Sequence, residues 1–411
     1  MHNIKIAGIC DSEKRKSAVP FCGIKVYHTP SLPTFYPKAR FIIASQHIQE
    51  CAEQLISLGY NEFYSGLELL SDFKVEKFNY QVSKSYMASK LAVWKKTHNY
   101  YFNDDKIYMT YSANNNKICD LNLARFNRDK VKYTTLKRST LIEFLKENLF
   151  TSNIRFGKEV KKVSKIKEKL LINFSDNTND LADFVIVSDG VFSKTKSIIE
   201  NKNIKPFYNG SIAIRTTIKS SEGFNYESEN ISLIMFPRAH LVIYPVNKKN
   251  ELNLVCVVRQ KLSENNDVHS IIKKEILSQN KSLENLFKGT LESWPIYITK
   301  KPSKSIYKNL FYLGDAFYTF SPTMAQGASQ SIEGANELFD LLSKDIKEIQ
   351  DIYFKQRLER TKLIDSRAKL NYFSFHLSNP LTAGLRNMVL KKITKNEKFL
   401  DRYLGNIYET T

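Results

Sequence analysis

The chain has 411 residues, enough for two or three domains at about 100–200 residues each. Hydrophobic residues make up 42% and charged residues 25%, which excludes a disordered chain, a collagen and a small disulfide scaffold. The 62 Lys+Arg against 42 Asp+Glu give a formal charge of +20, but the basic residues are spread along the chain with no dense block or nucleic-acid motif. Codon bias toward Lys and Asn explains that charge better than nucleic-acid binding. Five cysteines, with no CxxC or Cys/His cluster, predict reduced, packed thiols and no metal site. No apolar run reaches the roughly 18–20 residues of a membrane span, and the first residues lack a signal peptide, so the expectation is a cytoplasmic protein, at most peripheral to a membrane.

Glycine is scarce, with 14 in the chain, about half the usual share of about 7%. Each placement therefore carries information, because backbone loops that hold anionic ligands lean on glycine.

In chain order, residues 3–9 and Ile24–Tyr27 read as short strands. The segment HTPSLPTFYP is irregular because of its prolines. Ala39–Ala44 reads as a buried strand, and the following segment has helical apolar spacing between Ser45 as N-cap and Gly59 as stop. Residues 80–130 are polar and rich in Tyr, Asn and Lys, and no element is assigned to them. LKRSTLIEFLKENLF predicts an amphipathic helix over 136–150. Short strands follow, ending in ADFVIVSDG, whose unbroken apolar run suits a doubly buried parallel strand. Between 209 and 260, NGSIAIRTTI, ISLIMFPRAHLVIYPV and LNLVCVVRQ read as antiparallel strands. A buried strand ends at Gly314-Asp315, a long helix follows Gln326-Gly327-Ala328, and 350–411 is mostly helical.

Two strand ends carry chemistry. Asp189-Gly190 ends a strand with Lys194 and Lys196 just beyond, where open α/β sheets place ligands. Gly314-Asp315 ends another, and the amides around Gly327 open a helix suited to an anionic or electron-rich ring edge.

These segments resemble a known family. GDAFYTFSPTMAQGASQSIEGA is similar to the Gly-Asp motif of FAD-dependent aromatic-ring monooxygenases of the salicylate-hydroxylase and ubiquinone-hydroxylase type, and ADFVIVSDGVFSKTK to their Asp-Gly motif. LKRSTLIEFL, NGSIAIR, HLVIYPV with Asn253, Trp294 and FHLSNPLTAGLRN are further marks in family order. The resemblance covers about 85 to 411. It implies an α/β fold: a Rossmann-like FAD-binding domain with an atypical N-terminus, an inserted, mainly antiparallel substrate domain, and C-terminal helices. The expected divisions are 1–77, a small α/β segment; 78–200 and 301–411, the two parts of the FAD domain; and 201–300, the substrate domain.

By the same resemblance, Asp315, after Gly314, bonds the ribityl chain of FAD. Pro322 and the backbone of Gln326, Gly327 and Ala328 lie by the isoalloxazine, Arg138 touches the ribose or pyrophosphate side, and Asp189 and Gly190 sit near the pyrophosphate and are linked to NAD(P)H use. The implied reaction uses NAD(P)H and O2, through a flavin C4a-hydroperoxide, to hydroxylate a small aromatic or quinol-like ring. Arg215, His240 and Tyr244 lie on the strands that line the family's substrate pocket; each reads equally as a packed or exposed strand residue. One departure is marked. The opening GxGxxG that cradles the dinucleotide is absent from residues 1–75, where Gly8 is isolated in the first loop. A non-catalytic protein that keeps the fold, and a flavin reductase of the same superfamily, therefore stay open beside the hydroxylase.

Overall fold

The computed structural model describes residues 9–11, 26–28, 30, 32–35, 41–43, 55–60 and 63–65, and then 107–126, 135–147, 149, 154–219, 230–246, 251–262, 267–344 and 348–408. The chain divides into two units, Met1–Ala92 and Val93–Thr411.

The first unit pairs β1 (Ile9–Asp11) with β2 (Val26–His28) and β3 (Phe41–Ile43) with β4 (Phe63–Ser65), both in parallel. A short helix, α1, covers Leu32–Phe35. Between β3 and β4, residues 55–57 are helical and stop at Gly59, where the amide of Tyr60 returns to the carbonyl of Leu55 at 3.0 Å. The expected strand at 3–9 falls outside the described residues except for Ile9, as does Ser45.

The second unit is built on a seven-stranded sheet. Its strands are β5 (Ile107–Ser112), β6 (Lys117–Asn122), β11 (Phe207–Lys219), β12 (Ile231–Met235), β13 (Ala239–Pro245), β14 (Glu251–Arg259) and β15 (Glu292–Ile298), in the order β15-β11-β14-β13-β12-β5-β6. All pairings are antiparallel except β12 with β5. The alternation of β11, β13 and β14 sends Ile212, Ile214, Leu241, Ile243, Leu254 and Cys256 to one face. There they pack on Ile272 and Ile276 of α4 (Val268–Ile272) and its continuation to Leu277. Each such side chain contributes about 1.5–3 kcal/mol of burial. The β5–β6 hairpin lies in the stretch to which the sequence assigned no element. Its tyrosines and lysines mask a strand that joins the sheet only through the distant β12.

Beside this sheet, β7 (Val160–Ile166), β8 (Lys169–Phe174) and β9 (Asn179–Ala182) form an antiparallel meander. Next, β10 (Val185–Val187) pairs in parallel with β16 (Leu310–Tyr312). The apolar run predicts the parallel strand correctly but not its burial: Val187 is covered, whereas Phe184 and Ile186 are exposed. The helices are α2 (Arg138–Glu147), α3 (Lys194–Ile199), α5 (Gly327–Leu342), α6 (Ile349–Phe375), α7 (Pro380–Ile393), α8 (Glu397–Leu400) and α9 (Asn406–Tyr408). The mixed α/β architecture with a mainly antiparallel sheet is the one the sequence predicts.

Candidate functional site

The parallel register Val187↔Tyr312 brings the two motif-bearing strand ends side by side. The amide of Leu313 continues the ladder by donating to the carbonyl of Val187 at 2.9 Å. Asp189-Gly190 and Gly314-Asp315 therefore leave the sheet at the same edge, although more than a hundred residues separate them.

Each loop is held by its own backbone. Gly314 has φ +59°, and a Cβ there would stand 2.8 Å from the Ser331 hydroxyl of α5, so the turn and the close approach both require glycine. Asp189 accepts from the amide of Thr195 at 3.2 Å, and Ser193 caps α3 through the amide of Lys196 at 2.9 Å. Lys196 then ties the loops together. Its buried ammonium donates to the carbonyl of Ala316 at 3.0 Å and lies 5.0 Å from the Tyr312 ring centre. Burial pulls its pKa down, while Glu200 and Asp189 oppose the shift. The sequence marks this lysine only weakly: it lies three residues before Ile199, on the inward face of a short helix.

Asp315 reaches the mouth of a cleft lined by Gly314, Phe317, Tyr318, Gly327, Gln330 and Ser331. The protein around it raises the pKa of its carboxyl, and the Arg138 guanidinium opposes this rise. Arg138 opens α2, and the residues before it are pinned to the large sheet: Thr135 donates to the carbonyl of Pro245 at 2.6 Å, and Lys137 pairs with Glu251 at 2.7 Å. The far wall is the start of α5. Pro322 begins a single turn that ends at Ala325 in the left-handed region, φ +51°, and aims the chain into Gln326-Gly327-Ala328. Among the described residues no side chain caps the first amides of α5, and a Cβ on Gly327 would meet open space. The Ser321 hydroxyl is buried there with no hydrogen-bond partner among the described residues.

A buried ionic cluster that sequence reading missed fixes α5. Arg357 of α6 is 3% exposed and bonds Glu333 at 3.1 Å, Glu337 at 3.2 Å and the side-chain carbonyl of Gln330 at 2.7 Å. Arg360 joins at Glu333, 2.6 Å away. Gly334 lets the helices meet: a Cβ there would lie 3.2 Å from the Nε of Arg357. The available signal was an arginine inside the α6 stripe Tyr353, Arg357, Thr361, Ile364 and Ala368.

The three substrate-side candidates share one face of the large sheet, since Tyr244 opposes Asn253, His240 opposes Val257 and Arg215 opposes Val255. They do not form one cluster. Arg215 lies over the Trp294 ring at 4.9 Å, with its Nε buried and without a hydrogen-bond partner. Tyr244 accepts from the Asn253 amide at 2.8 Å; burial raises its pKa against the pull of Arg215 and Asn253. His240 instead bonds His376 of the α6 terminus, Nδ1 to Nε2, at 2.9 Å. Burial, and then His376, depress its pKa well below the ordinary imidazole value.

Residues 181–379 match the family model described as squalene epoxidase, just under half of the chain. A protein named FAD-dependent monooxygenase eupB, from Phoma sp, is 25% identical over 228 residues, 51% of each chain. The 6-hydroxynicotinate 3-monooxygenase of Pseudomonas fluorescens is 26% identical over 227 residues, covering 53% of this chain and 58% of its own. The chain is thus similar in sequence, over about half of its length, to proteins named FAD-dependent monooxygenases. It spans about half the length of the curated relatives it matches. Among solved structures, Klebsiella pneumoniae HpxO complexed with FAD and uric acid superposes with a TM-score of 0.67 at 15% identity, over 78% of this chain and 85% of that one. At that identity the likeness is one of fold. Both motif-bearing strand ends lie within the matched segment.

Proposed function

We propose that the chain is an FAD-dependent monooxygenase of a small aromatic or quinol-like substrate, with NAD(P)H as reductant and O2 as oxidant. The observation that carries this reading is the adjacent exit of Asp189-Gly190 and Gly314-Asp315 from two paired parallel strands, with Gly314 and Asp315 lining one cleft with Gly327 of α5. Residues 78–200 with 301–411 form the flavin part in this reading, and 201–300 the substrate part.

The residues present fit the ring and ribityl half of FAD. The buried Ser321 hydroxyl lacks a hydrogen-bond partner among the described residues, and the space beside Gly327 is open. Asp315 accepts from ribityl hydroxyls, Arg138 meets the ribose or pyrophosphate side, and Asp189 and Gly190 border the pyrophosphate and the nicotinamide approach. Pro322 and the amides of Gln326, Gly327 and Ala328 face the ring edge, where a helix start favours negative charge. Bound FAD supplies the redox chemistry, taking electrons from NAD(P)H and activating O2. The chain's own residues bind, orient and shield. Burial raises the pKa of Asp315, and Arg138 opposes that rise. Lys196 keeps the two loops in register. On the sheet, the unpartnered Nε of Arg215 is a donor for a substrate carboxylate or ring oxygen, and Tyr244, already accepting from Asn253, has its own proton to donate.

Absence of the GxGxxG loop favours a second reading, a non-catalytic protein with the same fold. Each lost amide contact costs about 1.5–3 kcal/mol. Titration with FAD, followed by quenching of its fluorescence and by the visible spectrum, tests binding. Binding weakened at least about tenfold by Asp315→Ala supports the flavin site. An absence of flavin absorbance even at high FAD overturns it. NAD(P)H oxidation stimulated by an aromatic ligand, with label from O2 in the product, separates the hydroxylase from both the non-catalytic protein and a reductase.

A further inference from the structure

α7 is turned inside out for a helix on a water-facing surface. Its half-buried positions are Ala383, Arg386, Asn387, Leu390 and Ile393, while none of its residues is fully buried. Arg386 points inward, donates to the carbonyl of Ser374 at 2.9 Å and bonds the neighbouring Asn387, which fastens α7 to the end of α6. The exposed positions include an apolar stripe. Leu381 is 83% exposed, Leu385 58% and Met388 65%, at i, i+4 and i+7, with Val389 beside them. The last turns of α6 also expose Leu370 and Phe373, three residues apart and so on one face of that helix. Scattered apolar residues are ordinary on a protein surface, but a continuous stripe marks a contact surface.

The charge around the stripe selects its partner. From Ser366 to Asn396 the chain has no Asp or Glu but six Lys or Arg. The outward stripe of α7 continues past Met388 into Lys392, with Lys391 alongside and Lys395 just beyond the helix, all exposed. Leucine and methionine bounded by lysines, with no acidic residue in that stretch of sequence, is the pattern of a helix lying in the plane of an anionic lipid surface. Among the described residues no helix is long and apolar enough to cross a membrane, so the contact would be peripheral.

We infer that α7, with the adjoining end of α6, is a docking surface for an anionic phospholipid membrane. The apolar stripe enters the headgroup boundary, and Lys391, Lys392 and Lys395 meet the lipid phosphates. This holds for the full chain whether or not the flavin reading does.

Co-sedimentation of the full-length protein at physiological salt tests it, with vesicles of phosphatidylcholine alone and of phosphatidylcholine with phosphatidylglycerol. The wild type binds the acidic vesicles and scarcely the neutral ones. Leu385→Gln with Met388→Gln lowers that affinity about 100-fold or more. Lys391→Gln with Lys392→Gln lowers it about 30-fold, near fivefold per lysine. Lys161→Gln with Lys162→Gln, an equal charge change on β7, leaves it within about twofold. Far-ultraviolet circular dichroism checks that each variant folds, which these exposed positions allow. Three results overturn the inference: no binding of the wild type to acidic vesicles, an equal loss in the β7 variant, or a dimer dispersed by the Leu385/Met388 pair with no vesicle binding, which would make a second copy the occupant.

Discussion

The buried imidazole pair makes stability acid-sensitive in a calculable way. His376 is 1% exposed, and its pKa is lowered to about 4, first by burial and then by Arg259, with Arg238 adding to the effect. In the unfolded chain its pKa returns to about 6.5. Between those values the unfolded state binds more protons than the folded state, so stability rises with pH. The contribution is fully present above about pH 6.5 and is lost as pH falls toward 4. The whole difference is worth about 3 kcal/mol, of which about 2 kcal/mol is gone by pH 5. His240 adds in the same direction, since its folded pKa is depressed too. Urea unfolding near pH 8 and near pH 5, on wild type and on His376→Gln, measures the effect. Glutamine can still meet His240 but does not titrate, so the variant should lose about 2 kcal/mol less than wild type on acidification. Carboxylates elsewhere acidify both proteins alike and cancel in the comparison. Parallel losses in the two proteins would refute the reasoning and return His240 to consideration as a base facing substrate.

Three further outcomes are expected. Gly314→Ala forces a side chain to φ +59° and against Ser331, costing about 1–3 kcal/mol and lowering both the melting temperature and the affinity for FAD. Glu333→Gln strips a charge from the buried arginine pair, and chemical denaturation should register a loss of about 3 kcal/mol, larger than for the exposed pair Lys165–Glu168. Arg215→Met should raise KM for a carboxylate-bearing ring substrate about 10- to 100-fold while leaving the melting temperature nearly unchanged; equal effects on neutral substrates would speak against a carboxylate contact.

The elements with strong local patterns were legible. β10, β16, α2 and α5 announce themselves by apolar runs and periodicity. The β5–β6 hairpin did not, because its stabilisation comes from pairing with β12 across more than a hundred residues. His240 reads as a base candidate in isolation, but its environment depends on His376, which lies 136 residues away. The same holds for Arg357: a basic residue on a helix reads as solvent-facing until two acidic residues of α5 are brought against it.

The sequence by itself determined the local chemistry: which strand ends carry Asp-Gly and Gly-Asp, where glycine is spared, and that no GxGxxG opens the chain. Those are properties of neighbouring residues, and neighbours need no fold to be recognised. Tertiary structure decided what meets what. It set Asp189 and Asp315 at one sheet edge, turned Lys196 from a surface charge into a buried tie, and left the leucines of α7 facing outward. The reason is physical: burial and long-range pairing set the charge, contacts and exposure of a side chain, and both arise only when distant segments pack.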